Sequence, residues 1–275
     1  MELILLSALL GLGLVIGLVG GDDDGDDSPP PANAGNDVIT GTADADRIEA
    51  GAGDDIVNAL GGNDQLFLGI GSDTANAGEG EDTVFGGGGA DNVQGGPGDD
   101  RIFLEDGPDQ SIGVDLAGIP QDGGNDLIRG GGGNDQLLDR FGMNELFGEE
   151  GADTINAVDN TGDNTPDELF GGFGMDTLIG DDGDELTGGE RDDTFFGRFD
   201  ETGEDPITIT DYIDATETLT LEFDSATFTT PLSNADLSFN TLTGPDRVEV
   251  LVDGTVYAVL EGLTTTPTNV NVAMI

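Results

Sequence analysis

The 275-residue chain has no cysteine, no histidine, no tryptophan and no lysine. Losing Cys and His together removes disulfides, thiol nucleophiles, imidazole bases and the usual zinc ligands, so neither a zinc protease nor a Ser-His-Asp triad can be built. The only basic side chains are Arg47, Arg101, Arg129, Arg140, Arg191, Arg198 and Arg247, spread singly along the chain. With no basic patch to neutralise phosphates, nucleic acid is set aside as a partner. Long apolar runs are scarce too: only residues 3–19, "LILLSALLGLGLVIGLV", run 17 positions without a charge.

What fills the chain instead is glycine, 48 residues, and acid, 58 residues, for a formal charge of -51. Self-repulsion on that scale opposes compaction unless something positive is bound. Such composition alone would suit a disordered or a merely salt-tolerant chain; periodicity separates those readings from a specific site.

The two ends differ from the middle. Residues 1–20 are expected to form a hydrophobic helix, read as an uncleaved membrane anchor in preference to a signal peptide: Glu2 stands where positive charge is expected, and no small-x-small cleavage site follows. Residues 21–32, acidic and then proline-rich, read as an extended linker. From about residue 200 glycine thins out and β-formers alternate; "RVEVLVDGTVYAVLEG" (247–262) reads as two strands joined by an Asp253-Gly254 turn. Residues 200–275 are expected to form a small C-terminal β module that caps the repeats.

Between the ends, aspartates recur every nine residues: Asp37, Asp46, Asp55, Asp64, Asp73, Asp82, Asp91, Asp100 and Asp109. Two positions after the first eight stand Ile39, Ile48, Val57, Leu66, Ala75, Val84, Val93 and Ile102. Two positions before them stand Gly35, Gly53, Gly62, Gly71, Gly80, Gly89, Gly98 and Gly107, with Asp44 the exception. The phase breaks near 111–121, resumes at Asp126, Asp135 (with Gly133 two before it), Asn144 and Asp153, breaks again near 157–166, and returns at Asp167, Asp176, Asp184 and Asp193.

Nine residues are too few for a strand, a reversal and a return strand. One unit is therefore one short strand plus one turn, and two units close a coil of 18 residues, with successive coils about 4.8 Å apart. In a strand x-U-x only the middle side chain faces inward, which predicts one aliphatic column per sheet. The turns need glycine for positive φ and for close approach to the turns above and below. Stacking also sets aspartates one strand spacing apart, where two charges repel by ~0.9 kcal/mol in water and ~3.5 kcal/mol at an effective dielectric of 20. A hard divalent cation between turns reverses that sign. Calcium suits it, taking six to eight oxygens in loose geometry, from aspartates and glycine-turn carbonyls together, where magnesium demands a tighter octahedron.

The units "GGGGADNVQ" (86–94) and "GGPGDDRIF" (95–103) match G-G-x-G-x-D-x-U-x and resemble the nonapeptide of the repeats-in-toxin (RTX), or hemolysin-type, calcium-binding family, over about residues 33–199. The resemblance implies an all-β, right-handed parallel β-roll with several calcium ions between its turns, unfolded without them. It also implies export through type I secretion machinery addressed by the C-terminal region. The candidate ligands are the carboxylates of Asp37, Asp46, Asp55, Asp64, Asp73, Asp82, Asp91, Asp100, Asp109, Asp126, Asp135, Asp153, Asp167, Asp176, Asp184 and Asp193, with the turns of Gly35, Gly53, Gly62, Gly71, Gly80, Gly89, Gly98 and Gly133. Asn144, Asp44, Arg191 and Thr165 depart from the pattern and mark weaker turns. The function expected is a calcium-dependent extracellular or cell-surface structural or adhesion protein, not an enzyme. The alternative is an exported hydrolase or other polysaccharide-acting enzyme using carboxylates.

Overall fold

A computed structural model describes residues 34–111, 124–159, 165–199, 205–228, 232–241, 246–263 and 265–275. The expected hydrophobic helix at 1–20 and the linker at 21–32 lie outside these residues. No helix among the described residues is long and apolar enough to cross a membrane.

The described residues form two sheets built by one winding chain, with alternate strands assigned to alternate sheets. Sheet one begins with Val38–Thr40, Ile56–Asn58, Thr74–Asn76 and Asn92–Gln94. Sheet two begins with Arg47–Ala52, Gln65–Gly71, Thr83–Gly89 and Arg101–Asp106. All of these pair in parallel, and Val38 lies opposite Ile56 as Arg47 lies opposite Gln65, an offset of 18 residues. The nine-residue unit is thus half a coil of a parallel β-roll. The two breaks in phase leave the pairing intact: Leu127 still lies opposite Arg101, and Glu168 opposite Glu145.

The two sides are not equal. Sheet one keeps short strands of two to four residues through most of the repeats, whereas strands of sheet two run six or seven because the glycine-rich residues after the inward aliphatic stay paired, Gly51 with Gly69 and Gly69 with Gly87. Burial alternates along these strands, so a second side chain two positions on also faces inward. The core therefore has two columns per sheet where the sequence pattern predicts one. The first holds Ile39, Ile48, Val57, Leu66, Val84, Leu146 and their equivalents; the second holds Ala50, Ala59, Leu68, Ala77, Leu104 and Ala157. Each buried aliphatic contributes roughly 1.5–3 kcal/mol, so the stack draws its stability from many small identical layers.

After residue 204 the strands extend the same two sheets. Ile207–Ile209 adds to sheet two, and Thr218–Phe223 and then Val270–Met274 add to sheet one, all in parallel. Sheet two then changes direction: Thr255–Glu261, Arg247–Val252 and Leu237–Thr241 form an antiparallel meander. Asp253 (φ 49°) and Gly254 (φ 83°) make the expected tight reversal between two of these strands. Phe199, Phe223, Phe228 and Tyr257 pack against one another at this end of the interior, with Tyr257 edge-on to Phe199 and Phe223 at 4.8 Å.

Candidate metal centre

Every repeat aspartate from Asp37 to Asp193 is buried. Each is turned inward at the start of its strand, and stacking brings it to its counterpart one coil away. One ladder runs from Asp37 through Asp55, Asp73, Asp91, Asp109, Asp135 and Asp153 to Asp176 and Asp193. The other runs from Asp46 through Asp64, Asp82, Asp100, Asp126, Asn144 and Asp167 to Asp184. In both, the backbone N–H of one rung donates to the side-chain Oδ1 of the next, at 2.6–2.9 Å. The ladders pass both phase breaks without a missing rung. An aspartate in this chain is first a staple for the neighbouring coil.

The second carboxylate oxygen has no such use. The Oδ2 atoms of Asp55, Asp64, Asp73, Asp82, Asp91, Asp109, Asp135, Asp153, Asp167, Asp176 and Asp193 are buried with no hydrogen-bond donor. A buried anionic oxygen without a donor costs several kcal/mol, so a ladder of them demands a counter-charge. No cluster of three acidic side chains converges among the described residues. A cation at these rungs has to be held by carboxylate together with backbone carbonyl, the hard, oxygen-only donor set that calcium accepts.

Asn144 shows what the turn offers. Its Oδ1 keeps the ladder bond from the Asp126 amide at 2.9 Å. Its Nδ2, in place of a second carboxylate oxygen, donates to the carbonyls of Phe141 and Gly142, each at 3.2 Å. Carbonyls three and two residues before the rung thus converge on the side-chain tip. In an aspartate turn, oxygen would meet oxygen there, and only a cation reconciles them. Asn144→Asp should raise calcium stoichiometry by about one ion and destabilise the calcium-free chain; calorimetric titration and chelator unfolding measure the two effects.

The candidate turn glycines Gly35, Gly53, Gly62, Gly71, Gly80, Gly89, Gly98 and Gly133 all have positive φ, from 118° to 157°. The departures behave differently. In the Asp44 turn, Thr42 donates from its amide and its hydroxyl to Oδ2 of Asp46, at 2.6 and 3.1 Å, so that oxygen is already occupied. Arg191 holds φ 99°, a strained value for a side-chain-bearing residue, where its neighbours have glycine.

Burial governs the acidity of these groups. It pushes the carboxyls of Asp73, Asp82, Asp91, Asp176 and Asp193 up to about 6, and Asp135 to about 7, against the opposing pull of the amide each accepts. Desolvation raises Asp167 to about 10, with the charge of Asp184 adding to it, and takes Asp184 itself to about 8.

The structure adds carboxylates that the nine-residue phase does not mark. Asp139 stands in the second inward column, where most repeats have Gly or Ala, and accepts from the amide of Arg140 at 2.7 Å. Burial pushes it up to about 6. Asp181 accepts the amide of Asp159 at 3.0 Å and donates its own to Asp184 at 2.8 Å. The only sequence signal for Asp139 is an acid two positions after the inward Leu137.

A family model of the RTX calcium-binding nonapeptide repeat, built as four copies, matches residues 31–66, 67–102, 76–110, 122–138 and 161–186. The chain belongs to the RTX calcium-binding repeat family. The matched segments leave out 139–160, which holds both Asp139 and Asn144, so the RTX pattern lapses where the inward acid and the amide rung depart from it. No curated protein matches the chain. RTX repeats imply calcium binding, and the donorless carboxylate oxygens at their rungs fit that ion.

Proposed function

We propose that this RTX chain is a calcium-folded structural protein of the cell exterior, a rigid rod with no catalytic role. The observation that carries the reading is the run of buried Oδ2 atoms without donors. With calcium at these rungs the ladder is neutralised and the coils close; without it they repel, so calcium supplies folding free energy. Extracellular calcium modules bind at ~0.1–1 mM, which leaves such sites empty in a calcium-poor interior and filled outside. Folding after export follows from that difference. The antiparallel meander at the end of sheet two serves as the cap that a stacked array needs, and the C-terminal region as the address for type I secretion. The run at 3–19 serves as a tether to the membrane.

Because each ladder carboxylate beyond the first rungs, Asp37 and Asp46, also holds an amide of the adjoining coil, substitution at any of these acts on folding before chemistry. Circular dichroism tests the reading. The chain should be largely unstructured in chelator at neutral pH and gain a β-sheet spectrum cooperatively in millimolar calcium, with magnesium far less effective. A spectrum indifferent to calcium would remove the proposal.

A further inference from the structure

The outward face of sheet two carries a pattern that calcium binding does not use. Its eight parallel rungs from Arg47–Ala52 to Glu185–Glu190 align side chains in columns. One column reads Glu49, Phe67, Phe85, Phe103, Arg129, Phe147, Phe170, Thr187. Phe67, Phe85 and Phe103 stack at 5.0 and 5.2 Å, and Phe147 stacks on Phe170 at 4.6 Å. Arg47 lies 4.5 Å over the ring of Phe67, and Arg129 lies 4.9 Å over that of Phe147. The rings are half-buried and spend their faces on one another, which leaves no open ring face for a sugar.

The column before it reads Arg47, Gln65, Thr83, Arg101, Leu127, Glu145, Glu168, Glu185. Positive charge lies in the first half and negative charge in the second. We infer that this face is a homodimer surface, on which a second copy packs with its roll axis reversed about a two-fold parallel to the strands. That operation sets the first rung against the eighth and keeps each column opposite itself. Arg47 then meets the partner copy's equivalent of Glu185, Phe67 meets Phe170, Phe85 meets Phe147, and Arg129 meets Phe103.

The register is specified against slippage. Moving the partner by one rung in one direction sets Arg101 against its own copy, and in the other direction does the same for Arg129. Seven intervals of 4.8 Å by six residues of 3.3 Å give a face of roughly 700 Å². That is close to the ~800 Å² per partner of a standard interface.

The chain has no native cysteine, so engineered ones report cleanly. In the full chain with calcium, Gln65→Cys with Glu168→Cys should give a covalent dimer on mild oxidation, because these positions oppose each other between copies. Within one copy they lie five rungs, about 24 Å, apart and cannot bridge. Gln65→Cys with Glu185→Cys, one rung out of register, should cross-link far less. By sedimentation equilibrium, Arg47→Glu should weaken the dimer at least tenfold, and Arg47→Glu with Glu185→Arg should restore it. Circular dichroism of each variant separates loss of fold from loss of pairing. A folded chain that stays monomeric at 100 µM overturns the inference. So does a dimer insensitive to the Arg47 and Glu185 exchange, or equal cross-linking in both registers.

Discussion

In chelator, the chain should fold as the pH is lowered, reversing the usual acid denaturation. Burial raises the carboxyls of Asp73, Asp82, Asp91, Asp176 and Asp193 in the folded state from an ordinary 3.8 to about 6, and that of Asp135 to about 7. A carboxyl whose folded value lies above its unfolded one binds protons more tightly in the fold, so acid stabilises. The contribution is fully present below about 3.8 and disappears as pH rises through about 6–7. Asp184, Asp181 and Asp167 carry the loss further, to about 8, 9 and 10. A displacement of two units is roughly 3 kcal/mol for a single carboxyl, and adjoining rungs titrate as a set. The β-sheet signal of the calcium-free chain should therefore grow between pH 8 and pH 5, at a concentration dilute enough that sedimentation shows no aggregation. With calcium the order inverts: protons compete for the same oxygens, and the calcium midpoint rises on acidification. Replacing Asp82 and Asp91 by Asn should flatten the calcium-free profile, since Asn144 shows that an amide fills such a rung neutrally. A calcium-free chain equally unstructured at pH 8 and pH 5 would contradict the ladder.

The coil and its register are legible in the sequence because one spacing sets both. A residue in phase every nine positions can alternate between two sheets only if two units close one coil, and Val38 opposite Ile56 follows. Two things were hidden. The second inward column escapes a pattern search because glycine fills it at Gly86, Gly95, Gly130 and Gly148, and glycine reads as turn; among the described repeats Leu68 and Leu104 are its large aliphatic members. The phenylalanine column is visible at an interval of 18 from Phe67 to Phe103, but the breaks carry Phe147 and Phe170 out of that interval. Only the register restores them. At the site, sequence spacing indicates that aspartates gather along an edge. It carries no information that one oxygen of each is taken by an amide, because that bond exists only once the coils are stacked. The strands after residue 204 read as separate because glycine stops, yet a sheet accepts any alternating strand, and Thr218–Phe223 pairs on Thr194–Phe199 all the same.

Gly89→Ala should be among the most damaging single methyls in the described residues, with Gly88→Ala, one residue away, nearly silent. Gly89 has φ 150°, and a Cβ built on it would sit 1.7 Å from the carbonyl oxygen of Gly71 in the preceding coil. Real contacts of this kind keep about 3 Å or more, and the opposing atom is backbone, fixed by the pairing of Gly71 with Gly89. Relief requires the turns to part by more than an ångström where coils stack at about 4.8 Å. That movement stretches the ladder bond from the Asp73 amide to Asp91 and opens the carbonyl set on which calcium depends. The cost is about 4 kcal/mol or more, with a calcium midpoint shifted at least tenfold upward. At Gly88 the nearest atom to a new Cβ is the Asp106 carbonyl at 3.9 Å, ordinary contact with no positive φ to strain. There the loss of unfolded-chain freedom leaves stability unchanged or raised by about 0.4–1 kcal/mol. Calcium titrations of the two variants by circular dichroism read the difference directly, and equal midpoints would mean that the turns do not lie on one another as described. The contrast also accounts for uneven glycine use: Gly71, Gly89, Gly107, Gly133 and Gly151 run down one edge where backbone meets backbone. The aligned positions Ile70, Gly88, Asp106, Gly132 and Glu150, just before them, accept almost any residue.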